Sequence, residues 1–270
     1  MRITSLGSGS KGNSMYVGVN AGFNEKHFLI DAGLSMKRMN EELIINEGID
    51  LEDIDLIFIT HAHTDHVQSV LPIVRKYNTK ITMPYAVKKE FTEWAGKMLP
   101  SSNYVKLEEN KRKRGGEVMV DTYKINHDKE TFAYKITSLT TGESYMHIPD
   151  NGGIYKKDTI EKFKGCTYYA IESNHDLTMQ IMDETRHEGL KRRVLGYYGH
   201  THNADAFNLA QRLVTKETRG IIYHHLSEEC NTPELAQKTH EELKKIWGEV
   251  RNFSNIKTVY ALQDEGVKLV

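Results

Sequence analysis

One run, His61-Ala62-His63-Thr64-Asp65-His66, constrains this chain more than any other part of its sequence. It directly follows Asp55–Thr60, which reads Asp-Leu-Ile-Phe-Ile-Thr, a buried strand with a polar end. Four side chains that can ligate a metal therefore stand within six residues, at a strand end that opens into a loop. There His61 and His63 can point the same way while Asp65 and His66 turn to a second position. Imidazole and carboxylate suit zinc, and also manganese or iron. A polar loop with incidental histidines would have to reach this spacing by chance.

Around this run the pattern alternates between short strands and helices. Arg2–Leu6 and Ser14–Val19 read as strands around a Gly/Ser turn, and His27–Ile30 as a short strand ending in Asp31-Ala32-Gly33. Met36, Met39, Leu43 and Ile44 recur at helical spacing, so a helix is expected over Met36–Glu47, stopped by Gly48. Val67–Lys76, Lys156–Phe163, Asn203–Leu213 and Pro233–Lys245 are further helix candidates. Thr131–Ser138 and Ser144–Ile148 suit a hairpin; Thr79–Met83, Met119–Asn126, Tyr168–Glu172, Gly220–Tyr223 and Thr258–Leu262 read as strands. Such mixing implies a layered α/β architecture, expected as a single domain over residues 1–270.

Composition narrows the setting. No apolar run approaches the ~18 residues that span a bilayer, and the start lacks the apolar stretch of a signal peptide. The two cysteines, Cys166 and Cys230, make no disulfide framework, so a reducing, cytoplasmic setting without a membrane partner is expected. Lys+Arg of 36 against Asp+Glu of 37 weighs against a surface coated for nucleic acid, without excluding it. The most basic stretch, Lys111–Gly116, is expected to be a solvated loop, with phosphate contact as the sharper alternative.

The HxHxDH run after an apolar strand resembles the metallo-β-lactamase superfamily. Asp31, in Leu29-Ile30-Asp31-Ala32-Gly33, stands where that superfamily places a carboxylate supporting the histidine loop. Within the superfamily the chain is similar to the YycJ/WalJ group, relatives of the tRNase Z phosphodiesterases. The similarity lies in Gly7-Ser8-Gly9-Ser10-Lys11-Gly12-Asn13-Ser14, Ile171-Glu172-Ser173-Asn174-His175-Asp176, Leu190-Lys191-Arg192-Arg193, and His225-Leu226-Ser227 followed by Asn231-Thr232-Pro233-Glu234-Leu235-Ala236.

This resemblance implies a four-layered αβ/βα sandwich with metals at one edge of two sheets. It implies His61, His63, His127 and Asp150 around one divalent ion, and Asp65, His66, Asp150 and His225 around the other. Zinc is the expected metal, with manganese as the alternative; adjacent His224 competes with His225 as the last ligand. Asp65 and His200 are the expected catalytic residues, His200 as the proton donor to the leaving alkoxide. The close relatives more often read Gly-His-Leu-Ser-Asn where this chain has Gly199-His200-Thr201-His202-Asn203, so His202 adds a second imidazole. Asn174, His175 and His202 are candidate substrate contacts, with a structural role as the alternative. His147 is expected as a packed strand histidine, and His27, His187 and His240 as surface residues.

Three substrate classes compete. The Asp65 pattern favours phosphodiesters over β-lactams or thioesters. Among phosphodiesters, the near-neutral charge favours a small anion, such as the cyclic nucleotides hydrolysed by anti-Pycsar proteins of this fold. The YycJ/WalJ and tRNase Z relatives favour a DNA or RNA nuclease as the alternative. A small nucleotide is thus the expected partner, nucleic acid the alternative. A non-enzymatic binding module fits poorly, since every expected ligand is present. Asn20–Lys26 and Lys106–Gly116 are expected as sites for a substrate lid. The resemblance also implies a homodimer, in which Trp94–Leu99 packs across the two-fold axis and a partner loop completes the pocket.

Overall fold

The computed structural model describes residues 1–96, 98–153, 156–246 and 253–270. Among them the first sheet comprises β1 (Arg2–Gly7), β2 (Ser14–Asn20), β3 (Glu25–Ile30), β4 (Leu56–Phe58), β5 (Lys80–Pro84) and β6 (Tyr104–Leu107). The second comprises β7 (Arg112–Gly115), β8 (Val118–Ile125), β9 (Thr131–Ser138), β10 (Ser144–Ile148), β11 (Tyr168–Glu172), β12 (Gly220–His224) and β13 (Lys257–Tyr260). The chain then returns as β14 (Val267–Lys268) to pair with β1. The orders are β14-β1-β2-β3-β4-β5-β6 and β13-β12-β11-β10-β9-β8-β7.

Alternation along the strands builds the layers. On β11, Tyr168 and Ala170 join the core between the two sheets, while Tyr169 and Ile171 join a second core under the helices Lys157–Phe163 and Asn203–Leu213. A strand buried on both faces has no polar side to show, which is why β11 and β12 read as continuous apolar runs. With the helix Met36–Glu47 on the first sheet, the result is the expected four-layered αβ/βα sandwich. That helix has the expected bounds: Ser35 Oγ accepts from Arg38 N, and Gly48 takes the left-handed C-cap at φ 69°.

The parallel strands decide where chemistry can gather. β3, β4 and β5 run parallel to one another, as do β10, β11, β12 and β13, so their C-terminal ends open at one edge of each sheet. Asp31 follows β3, His61 lies just past β4, Asp150 follows β10, Glu172 ends β11 and His225 follows β12.

The structure corrects several sequence-based expectations. The helix expected over Val67–Lys76 is two pieces, a turn at Thr64–Val67 that carries Asp65 and His66, then Val70–Tyr77. The basic stretch is an edge strand, β7, rather than a loop. Its exposed charges guard an open sheet edge, and Arg112 pairs with Asp121 at 2.6 Å. Neither lid candidate forms a lid over the main cleft: residues 21–24 make the tight connection between β2 and β3, and residues 106–116 lead into the β7 edge. Trp94 and Ala95 are the last residues of the helix Tyr85–Ala95, so the stretch Trp94–Leu99 is not one loop, and its Lys97 lies outside the described residues.

His240 is also not a surface residue. It is buried against Tyr223 and Phe207, donates Nε2–H to the Asn203 carbonyl at 3.0 Å, and accepts from Tyr260 Oη at 2.9 Å. Burial lowers its pKa to about 4. The unfolded chain therefore takes up a proton near pH 6.5 that the folded chain refuses, so this histidine's contribution is present above that pH. It is lost progressively as pH falls from about 6.5 to 4. In chelator, His240→Gln should show a smaller drop in urea midpoint between pH 7 and pH 5 than the parent. An equal drop in both would refute this.

Candidate metal centre

Three strand ends and two loops converge on one point. His61 Nε2 lies 3.0 Å from His63 Nδ1 and 3.8 Å from Asp150 Oδ2, and His127 Nε2 lies 3.4 Å from His63 Nδ1. These four residues form one potential ligand group. Asp65, His66 and His225 form a second, with His66 Nε2 and His225 Nε2 each 3.5 Å from Asp65 Oδ2. Asp150 links the two, its Oδ2 lying 3.6 Å from His66 Nε2 and its Oδ1 3.2 Å from His225 Nδ1. All seven residues expected from the sequence are thus brought together. His224 is not: its Nε2 donates to the Ile148 carbonyl at 3.0 Å and its ring stacks on buried His147.

A surrounding shell fixes these rings. Asp31 Oδ2 accepts from His66 Nδ1 at 2.7 Å, and its two oxygens accept from Thr60 N and Oγ1 at 2.8 and 2.7 Å. Such a carboxylate fixes the tautomer and leaves Nε2 aimed inward. Asp31 and His225 both hold left-handed backbones, φ 62° and 59°. That conformation costs energy for residues with a Cβ, and here it falls on two members of the centre.

Sequence reasoning did not assign the most connected member of the shell. Glu172 is fully buried, and its Oε1 accepts from His200 Nδ1 at 2.6 Å and from His225 Nδ1 at 3.0 Å. Its Oε2 accepts from the backbone of Asn151 and Thr201 at 2.9 and 3.0 Å. Burial opposes its charge, but His200 beside it and these bonds hold its pKa down to about 2. Asn13 was also unassigned; its Nδ2 reaches Asp65 Oδ2 at 3.3 Å and His66 Nε2 at 3.2 Å. Ser8 Oγ accepts from His225 N at 2.8 Å, so the Gly7–Asn13 turn braces the centre from below. The signal for both lay in sequence motifs whose partners come from distant loops.

The donor set fits a pair of divalent cations. Burial, the largest influence, pushes His61 well below the ordinary range, lowers His63 to about 4 and depresses His127. All three offer neutral lone pairs at neutral pH. Burial also opposes charge on Asp65 and Asp150, but His66 and His225 outweigh it and hold both carboxylates ionised. The same carboxylates hold His66 and His225 charged, His225 at about 10, although burial acts against them. Cations in the two groups would take over that positive charge. Asp150 Oδ1 is buried, with no hydrogen-bond partner among the described residues, as a ligand oxygen would be.

Beside the centre opens a cleft of about 410 Å³. His63, Asp65, Asp150, His200 and His225 form its floor, and Arg186 and Arg193 stand on its wall. Of the expected substrate contacts, only Asn174 lines it, and the Asn174 amide donates to the His225 carbonyl at 2.8 Å. His175 is buried outside the cleft, with neither ring nitrogen bonded among the described residues. His202 caps the helix Asn203–Leu213, accepting from Asp205 N at 3.4 Å. The imidazole therefore takes the structural role given as its alternative, as the helix cap, and does not line the cleft.

A family profile described as the metallo-beta-lactamase superfamily matches residues 8–204. The chain belongs to this superfamily. It is 31% identical over 241 residues to the exodeoxyribonuclease WalJ of Streptococcus pneumoniae, covering 87% of this chain and 84% of that protein. It is 32% identical over 236 residues to the exodeoxyribonuclease YycJ of Bacillus anthracis, covering 86% and 84%. The metallo-β-lactamase fold protein YhfI of Bacillus subtilis superposes with a TM-score of 0.69 over 98% of each chain, at 13% identity. Within this superfamily the chain is a metal-dependent hydrolase, with His/Asp clusters suited to a metal ion pair. No helix among the described residues is long and apolar enough to cross a membrane.

Proposed function

We propose that this protein is a metal-dependent exodeoxyribonuclease, with His61, His63, His127 and Asp150 holding one divalent ion and Asp65, His66, Asp150 and His225 the other. The observation that carries the reading is the near-full-length similarity to two exodeoxyribonucleases, in a chain that assembles all seven ligands. The cyclic-nucleotide expectation rested on a near-neutral total charge. Total charge says little about one cleft, and this one carries two guanidinium groups on its wall, Arg186 held by Glu229 and Arg193 by Asp128. Ions held there would supply an acidified water and neutralise phosphate oxygens; zinc is the metal we expect, with manganese as the alternative.

The chain's own residues supply the rest. Glu172 accepts Nδ1–H of His200, which fixes the ring and directs Nε2 away from the carboxylate. His200 then passes a proton from Nε2 to the leaving alkoxide while its Nδ1–H stays on Glu172. Arg186, on the cleft wall, is held in place by Glu229 at 2.7 Å and Gln180 at 2.7 Å, so its guanidinium is a fixed donor group beside the phosphate. Asn174 acts through His225, whose backbone it holds.

The test is a substrate panel with the metal-loaded protein: end-labelled single-stranded and duplex DNA, the same in RNA, and 3′,5′-cyclic nucleotides. We expect DNA to be shortened from an end, and kcat/KM to fall steeply between low and moderate salt, because each phosphate contact releases a counterion. Ring opening of cyclic nucleotides with DNA untouched would overturn the proposal.

A further inference from the structure

The helix Glu188–Leu195 brings Leu190, Arg193 and Val194 to the cleft wall, and the chain then turns through Gly196-Tyr197-Tyr198-Gly199 into His200. This turn is rigid. Gly199 N donates to the Gly196 carbonyl at 2.8 Å, and His200 N to the Val194 carbonyl at 2.9 Å. A Cβ on Gly199 would sit 2.1 Å from Val194 O, and one on Gly152 would sit 2.0 Å from Tyr197 O. Backbone therefore clamps the turn from two sides. Its tip nonetheless leaves two large rings in water: Tyr197 is 50% exposed and Tyr198 58%, their centroids 5.0 Å apart at 82°.

The rings sit on the turn between Val194 and His200, both of which line the cleft, and the helix before them is basic. Lys191, Arg192 and Arg193 occupy the preceding helix; Arg192 is exposed, and Arg193 pairs with Asp128 at 2.7 Å. Tyr197 also faces a small cavity of about 110 Å³ edged by Lys124 and Lys156. A third ring, Trp94, is 40% exposed and donates its indole N–H at 2.9 Å to Thr64 Oγ1, which lines the main cleft. Exposed rings next to exposed cations match the chemistry of an unpaired polynucleotide, whose bases offer faces and whose backbone offers charge.

We infer that Tyr197 and Tyr198 form a stacking platform for the bases of a single DNA strand whose phosphate lies at the metal centre, with Trp94 as a further ring beside Thr64. The inference rests on the nuclease reading and extends it to substrate class. Bases in a duplex are already stacked, so the platform selects single strands or frayed ends.

The experiment compares the metal-loaded parent with Tyr197→Ala/Tyr198→Ala and Tyr197→Phe/Tyr198→Phe. Substrates are a labelled oligo-dT, its abasic counterpart, and bis(p-nitrophenyl) phosphate. Loss of stacking on two rings should raise the anisotropy Kd and the KM for oligo-dT about 10- to 100-fold. The ratio of kcat/KM on oligo-dT to that on the nitrophenyl ester should fall by a similar factor. The phenylalanine variant should keep parental values, and the abasic strand should not distinguish the proteins. Unchanged oligo-dT affinity in the alanine variant, in a parent that cleaves oligo-dT, would overturn the platform alone. So would a light-scattering shift from dimer to monomer with affinity preserved, which would assign the rings to a contact between copies. A parent that hydrolyses the ester but no polynucleotide would overturn the nuclease reading and the platform with it.

Discussion

Asp150→Asn should reduce kcat/KM by roughly three orders of magnitude or more. Elemental analysis of the purified variant should find about one ion per chain or fewer, against about two in the parent. Asp150 alone belongs to both ligand groups, with one oxygen toward His61 and His66 and the other toward His225. Asparagine keeps the volume but removes the charge that balances the centre, and it turns one acceptor into a donor among imidazole nitrogens. A variant that retains about two ions and near-parental turnover would remove Asp150 from its place at the junction.

Glu172→Gln should lower kcat about 10²–10⁴-fold at saturating metal. The carboxylate accepts on both sides, whereas an amide, whichever way it turns, sets its N–H groups against donors: the Asn151 and Thr201 amides on one side or the imidazole Nδ1–H groups of His200 and His225 on the other. Because Glu172 also orients His225, metal affinity should weaken by about 10–100-fold, which excess metal restores. The decisive measurement is a double-mutant cycle. Glu172→Gln/His200→Ala should be about as slow as His200→Ala alone, since the carboxylate acts through the ring. Fully additive losses would show that Glu172 and His200 work separately.

How legible these residues were from sequence depended on the distance between cause and effect. The His61–His66 run carries its meaning locally, because one strand end and one turn set four side chains. Met36–Glu47 was equally readable, with its cap, its period and its stopping glycine all within the segment. Glu172 was not, although it stood in a motif noted for its resemblance. Its role exists only when residues 150–151, 200–201 and 225 meet it in space. His202 shows how fine the limit is: substrate contact and a structural role were both open to it, and the choice lay in the backbone angles that make it the helix cap. The basic run at Lys111 misled for a different reason. Composition describes exposure well, yet an exposed edge strand and an exposed loop share the same polar face.

The ligand set is divided along the chain as well as in space. His61, His63, Asp65 and His66 follow strands of the first sheet, while His127, Asp150 and His225 follow strands of the second. Two halves that meet chiefly through nonspecific apolar packing are thus pinned, at one edge, by directional bonds. The centre is in effect a clasp, and a clasp has a thermodynamic signature. Whatever free energy holds the ions also resists separation of the sheets, so affinity for metal and resistance to unfolding become one linked quantity. Evolution of this chain toward weaker or different metals would therefore alter its lifetime along with its turnover.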